Sequence, residues 1–406
     1  MMKRTILSAL CLAGAMGAGA QQYMRIWQGG DNTRVALQDI SYSEGGAILT
    51  AAGKQYSTAS IDSITMVHVI TVNYQGNQAT VDTGHAPGVT WTADGADVSI
   101  VSTNVLQELE TVLQGQSSNG SLTYTGSLKC KFTLNGLDLT STRGAAINIQ
   151  CGKRVGLILA DGTQNTIADA AGGQHKGALY CKGHMEIEGG GTLTVSGNTR
   201  HAIDSKEYLQ LKKSTGNIVI RKAAGDAIHV GQYLHMSGGT ITIDENTAGD
   251  GIQVETMLLD DKLTPDPGKE ENGKIFIKGG TINAVIAHED CEGIKNDEGD
   301  VTISGGNINI KANGNGSRGI QTDGNMTIGD EDGATNIYIE ANGARCTAAK
   351  DADDPHRCMG IKVEKNLTVT GGTTTVIKTG KKARGIKVDG TYTKTGGTVN
   401  ADVVAP

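Results

Sequence analysis

The chain has 406 residues, of which 58 are glycine and only 3 % aromatic, and it carries a formal net charge of −7. So much glycine with 5 prolines and no G-X-Y period excludes collagen and fits a chain that turns every few residues. The scarcity of aromatics excludes an aromatic-packed sandwich, and an acidic chain without a basic patch argues against nucleic acid as a partner.

Met1–Ala20 reads as a secretory signal peptide. Lys3 and Arg4 form its charged start, Thr5–Met16 its apolar stretch, and Ala18-Gly19-Ala20 a cleavage site. The apolar run is too short to span a bilayer, and no later stretch qualifies, so the chain is not expected to be membrane-spanning. Cys11 follows Leu10, where a lipid-anchor signal would carry a small residue. The expected location is secreted: periplasmic, cell surface or extracellular. Residues 21–68 alternate as short β-type runs and form a small β segment of unreadable role. From Val69 the pattern changes, and residues 69–402 make the main domain. Within it, Val105, Leu106, Leu109, Val112 and Leu113 have the spacing of a short amphipathic helix over the end of a stack, with two short strands as the alternative.

An aliphatic anchor beside a small residue recurs at Ile147, Leu179, Ile203, Ile228, Ile252, Ile294, Ile320, Ile361 and Ile386. Intervals of 24–26 residues dominate, and those of 32, 42 and 41 read as insertions. Gly-rich turns follow most anchors, as at Gly189-Gly190-Gly191, Gly238-Gly239, Gly279-Gly280 and Gly305-Gly306. Each period is a strand–turn unit too small to bury its own apolar face, so copies must stack. The predicted fold is all-β: a right-handed parallel β-helix of about 24–25 residues per coil, with the small N-terminal β appendage. Cys346 and Cys358 bracket one insertion and suggest a disulfide. Cys130, Cys151, Cys181 and Cys291 read as small buried residues. Trp27 and Trp91 fall outside the regular coils and read as core.

The stretches GAAINIQCGKRVGLILADGTQNTIAD, KGALYCKGHMEIEGGGTLTVSGN, GDAIHV, SGGTITI, GDGIQVE and CEGIKND resemble the bacterial carbohydrate-binding parallel β-helix family. That family was first described from a clostridial cellulose- and acid-sugar-binding protein and is related to family 9 polysaccharide lyases. The resemblance covers about Val69 to Ala401. It implies a right-handed β-helix, calcium held by acidic residues at the coil edge, and binding of plant-type or acidic polysaccharides. The C-terminal periods depart from the pattern, because Arg318, Met359 and Arg384 replace the acid two residues before the anchor.

Aligned periods expose columns. Two residues before the anchor stand His201, Asp226, Asp250 and Glu292, and three after it stand Lys206, Gly231, Glu255, Asp297 and Asp323. Stacked carboxylates repel, and calcium, which takes 6–8 oxygens, would relieve them. Asp226, Asp250, Glu255, Glu292 and Asp297 are therefore the candidate calcium ligands. The competing reading is solvated turn acids neutralised by Lys295, Lys362 and Lys387. Asp260-Asp261 with TPDPGKEENG forms an acidic insertion, read as a lip or a solvated loop; Asp351, Asp353 and Asp354 occupy another. Tyr208 and Tyr233 share an offset and should stack, either as an outward sugar platform or as core. With Lys295 they are the candidate carbohydrate-binding residues. The expected function is a secreted, non-catalytic, calcium-assisted carbohydrate-binding protein with polysaccharide as its partner. Two alternatives remain, an extracellular adhesin or structural solenoid, and a calcium-dependent polysaccharide lyase with Lys295 as its base.

Overall fold

The structure, a computed structural model, describes residues 23–36, 39–346 and 356–406. The signal-peptide segment and Asp351, Asp353 and Asp354 lie outside the described residues. Regular structure among the described residues is β throughout, apart from two single turns of 3-10 helix at Glu44–Gly46 and Thr58–Ser60. No described helix is long and apolar enough to cross a membrane.

The N-terminal segment builds its own small core. Tyr23–Gln28 pairs antiparallel with Asp31–Ala36 and Ser63–Val67, and Ile40–Ser43, Ile48–Ala51 and Lys54–Ser57 form a second antiparallel sheet. Met24, Ile26, Val35, Leu49, Ala51 and Tyr56 are buried between them. The segment is tied to the rest by Arg25 and Arg34, which both grip Glu110.

From Ile70 onward a single aliphatic core runs to Val388. One side is a 13-stranded sheet in which every anchor faces its neighbour in register. Ile147 pairs with Leu179, then Ile203, Ile228, Ile252, Ile294, Ile320, Ile361 and Ile386 follow in turn. All of them are 0–1 % exposed, so the anchors are core and carry no chemistry. The small residue before each anchor is required by packing. A Cβ on Gly293 would lie 2.6 Å from the Gly319 carbonyl oxygen.

The predicted right-handed β-helix is corrected by the remaining strand pairs, which close on themselves. Cys130–Thr140, Val155–Leu159, Met185–Glu188, Leu209–Leu211, Leu234–Met236, Ile275–Ile286, Thr240–Ile243, Asn217–Ala223, Thr192–Gly197 and Gln164–Ala168 hydrogen-bond in that order, and the last pairs again with the first. In its connectivity this is a closed ring of ten parallel strands, a barrel with further sheets attached, rather than a uniform solenoid of separate strands. The physical reason lies in the glycines. Gly279-Gly280 and Gly136 do not end strands. They sit inside Ile275–Ile286 and Cys130–Thr140, with register shifts at Lys278/Thr281 and Leu113/Gly115, so each long strand belongs to two ladders and ties them together.

Two local expectations also fail. Leu109–Ser117 is a strand that buries Leu109, Glu110, Thr111 and Leu113, and Asn104 turns the chain before it by accepting the Leu106 and Gln107 amides. Trp91 is 43 % exposed and is not core. Cys130, Cys151, Cys181 and Cys291 are buried as expected. Cys358 is buried, and its thiol donates to the Ala312 carbonyl at 3.4 Å.

Truncating Ile252→Ala opens a cavity that flanking strands cannot close. It is expected to cost about 2–5 kcal/mol in denaturant unfolding; a loss near zero would mean the anchor ladder is not the main source of stability.

Candidate functional site

The outward face of the 13-stranded sheet holds the chemistry. Its side chains come from positions alternating with the buried anchors, so the parallel register lines them up in columns about 4.8 Å apart. The column one residue after the anchor runs Asn148, Tyr180, Asp204, His229, Gln253, Lys295, Gln321, Lys362 and Lys387.

Beside it, the predicted acidic ladder forms a chain of contacts. The Asp226 amide donates to His201 Nδ1 at 3.1 Å, the Asp250 amide to Asp226 Oδ1 at 2.9 Å, and the Glu292 amide to Asp250 Oδ1 at 2.7 Å. Each side chain is thereby fixed by the backbone of the next strand. Arg318 grips Glu292, and Lys295 Nζ lies 3.8 Å from Asp250 Oδ2. Burial and the neighbouring Asp250 push Glu292 up to about 8, against the pull of Arg318. Asp250 is raised by burial as well. Asp226 goes the other way: burial opposes ionisation, but His201 and the Asp250 amide hold it below the usual carboxylate range. Burial works against the Lys295 charge, yet Asp250 and Glu292 outweigh it, so its ammonium is held more firmly protonated than usual.

The calcium set is therefore spread along a ladder whose charges are met from within the chain. Glu255 is exposed and sits 3.2 Å from His229 Nε2, which lowers its pKa, while burial raises that of Asp297. Among the described residues, the acid–imidazole cluster with ligand atoms within 4.8 Å of one another is His201, Asp204 and His229. None of the three is in the predicted set. The residues from Asp226 to Glu292 thus do not fit a calcium cage, which needs 6–8 free oxygens.

Tyr208 and Tyr233 do stack, with centroids 4.7 Å apart and rings 18° from parallel. Tyr233 is buried and Tyr208 half-buried, so the rings are largely taken up by protein neighbours. His184 covers the other side of Tyr208 at 4.3 Å, His235 covers Tyr233 at 4.8 Å, and Phe276 continues the column against His235 at 4.5 Å. The acidic insertion docks alongside, with Gln232 Nε2 donating to the Glu270 carbonyl at 2.8 Å, His235 Nε2 2.8 Å from Glu271, and Lys269 3.3 Å from Glu207. It is a fastened strap over the aromatic column rather than a loose loop.

Sequence reasoning missed a groove of about 390 Å³ at the N-terminal end of the same face. Asn148, Gln150 and Tyr180 line its floor, and Arg143, His175 and Lys176 come from the connections. Arg143 Nη1 is 3.0 Å from Asp94 and 3.3 Å from Asp97. The signal was present in the first column after the anchors, which was read only for its lysines.

Comparison with known proteins places this geometry. Residues 94–404 match the family described as "Carbohydrate-binding domain-containing protein", which is most of the chain, and the chain belongs to that family. A member from Acetivibrio thermocellus is 30 % identical over 96 residues, 22 % of this chain and 33 % of the relative, so the chain spans about a third of that relative's length. The chain also resembles in fold the solved "polysaccharide lyase-like protein from C. thermocellum", a gadolinium derivative, with a TM-score of 0.52, 20 % identity, and cover of 64 % of this chain and 97 % of that one.

The pKa shifts give a sign for stability against pH. Glu292 binds its proton more tightly folded than unfolded, so its stabilising contribution falls as pH rises from about 4.5 to about 8. His229, between Asp204 and Glu255, is raised to about 9, so its contribution is complete below about 6.5 and is lost as pH rises through about 9. Asp226 and Glu255 are lowered and act in the opposite sense, only in acid. The thermal midpoint is expected to be higher near neutrality than in mild alkali, with the slope flattened by Glu292→Gln. A midpoint that climbs into alkali contradicts this assignment.

Proposed function

We propose that the chain is a secreted, non-catalytic protein that binds acidic, plant-type polysaccharide on the outward face of the 13-stranded sheet. The groove at Asn148, Gln150, Tyr180, Arg143 and Lys176 carries the reading. A guanidinium matches the planar fork of a uronate carboxylate, and an ammonium adds charge. Asn148 and Gln150 offer amide donors and acceptors for hydroxyls, and Tyr180 a ring for the apolar side of a sugar. The ion pair of Arg143 with Asp94 and Asp97 is exposed, so exchanging it for a ligand carboxylate costs little. Family membership supports carbohydrate as the ligand class. Secretion rests on the leader-like composition of Met1–Ala20.

Calcium is assigned no part in binding, since Lys295 and Arg318 already sit against the acids that would hold it. Catalysis is not assigned either. A lyase base must take a proton from carbon, and Lys295 is held protonated by Asp250 and Glu292.

The test is affinity electrophoresis in gels containing polygalacturonate or a neutral glucan. Retardation by polygalacturonate is expected, weakening with salt. Arg143→Ala with Lys176→Ala should weaken it about 10- to 100-fold, the range for lost charge-assisted hydrogen bonds. Retention of binding in that double variant, or equal retardation by neutral glucan, would overturn the proposal. EDTA is expected to leave the retardation unchanged. A parallel absorbance assay for unsaturated uronate ends should stay flat; a rising signal abolished by Lys295→Ala would establish the lyase instead.

A further inference from the structure

We infer that His201, Asp204 and His229 form a binding site for one borderline divalent transition metal of the zinc, cobalt and nickel class. The inference is independent of polysaccharide binding. These residues come from two neighbouring strands, His201–Ser205 and Ile228–Val230, and the parallel register brings Asp204 beside His229. The two imidazoles stack with centroids 4.4 Å apart and rings 16° from parallel. His201 is 4 % exposed, Asp204 2 % and His229 8 %.

Buried polar atoms ordinarily have partners, and exceptions need an explanation. Here two fall in one place: His201 Nε2 and Asp204 Oδ2 make no hydrogen bond. Both are the free ends of groups whose other ends are fixed. His201 Nδ1 lies 3.1 Å from Asp226 Oδ2. His229 Nδ1 lies 3.3 Å from Asp204 Oδ1, and its Nε2 lies 3.2 Å from Glu255 Oε1.

These contacts define roles. A metal-ligating histidine typically passes its second N–H to a carboxylate, which sets the tautomer and sharpens the ligand. Glu255 stands in that relation to His229; His201 Nδ1 accepts the Asp226 amide with Asp226 Oδ2 equally close, so binding has to move the His201 proton from Nε2 to Nδ1. The ligands would then be His201 Nε2, His229 Nδ1 and an Asp204 oxygen, with Asp226 and Glu255 behind them. Two imidazoles and one carboxylate suit borderline metals better than calcium, which prefers oxygen alone. Tetrahedral bonds of about 2.1 Å set ligand atoms about 3.4 Å apart, close to the 3.3 Å that already separates His229 Nδ1 from Asp204 Oδ1. Imidazoles bind metal in the neutral form, so affinity should rise with pH.

The experiment uses untagged full chain, stripped by chelator and titrated with Co²⁺ by visible absorption and with Zn²⁺ by calorimetry. One equivalent of Zn²⁺ is expected, with a cobalt ligand-field spectrum that zinc displaces and a thermal midpoint raised by the metal. His201→Ala should abolish the spectrum, as should the isosteric Asp204→Asn, which keeps shape and folding. Asp226→Asn and Glu255→Gln should retain it with affinity about 10- to 100-fold weaker. Circular dichroism and the metal-free thermal midpoint identify any variant that has simply unfolded, and Asp204→Asn then decides the matter. Absence of a cobalt spectrum in the wild type, or Zn²⁺ bound equally by folded Asp204→Asn, would overturn the proposal and leave the cluster as a buried ion pair only.

Discussion

Parallel register is the constraint on which everything else depends. Once one aliphatic anchor is locked against the next, every side chain at the same offset is forced into a column with its equivalents about 4.8 Å apart. Inside, this is favourable: Ile203 to Ile386 make one continuous buried ladder. Outside, it brings like charges together. Two carboxylates at that spacing repel by roughly 3 kcal/mol at an effective dielectric near 20. A run such as Asp226, Asp250 and Glu292 persists because each acid takes an amide from the next strand and because His201, Lys295 and Arg318 are set among them. Where that fails, at Glu292 beside Asp250, a proton is retained.

The histidines show the same competition with different winners. His184 and His235 each have one acid partner, Glu207 and Glu271, and burial wins, so both are lowered. His229 has two, Asp204 and Glu255, and the acids win. The difference is made by position. His184 and His235 stand in the aromatic column under the insertion, packed edge or tilt against Tyr208, Tyr233 and Phe276. His229 is the most buried of the three, and acids on two sides of its ring outweigh that burial.

The sequence made the anchors readable because identical offsets reproduce identical environments: Ile228 and Ile252 were separable from their functional neighbours by arithmetic alone. It also made the Tyr208–Tyr233 stack readable. What it hid depends on backbone course rather than on residue type. Gly279-Gly280 has the composition of a turn, yet a long strand runs through it, and this converts an expected solenoid into a closed ring of strands. Leu109 and Leu113 fit a helical spacing and a strand spacing equally, and pairing with Val69–Gln75 and Cys130–Thr140 decides for strand. Tyr233 was open to either facing, and its neighbours on both sides close it. The cluster of His201, Asp204 and His229 was hidden because its members come from two different columns, which meet only diagonally across neighbouring strands.

The order of charge along the face narrows what can bind there. Cations come first, at Arg143 and Lys176; the imidazole–carboxylate cluster follows; then the acids to Asp297; then Arg318, Lys362 and Lys387. A polyanion laid along the sheet would gain at the first end. The groove spans three strands, Ser121–Gly126, Ile147–Gln150 and Gly177–Cys181, or roughly 10 Å by strand spacing. A short segment of an acidic polymer fits that length. The central acids are met from inside the protein by Lys295 and Arg318, whether or not a ligand is present.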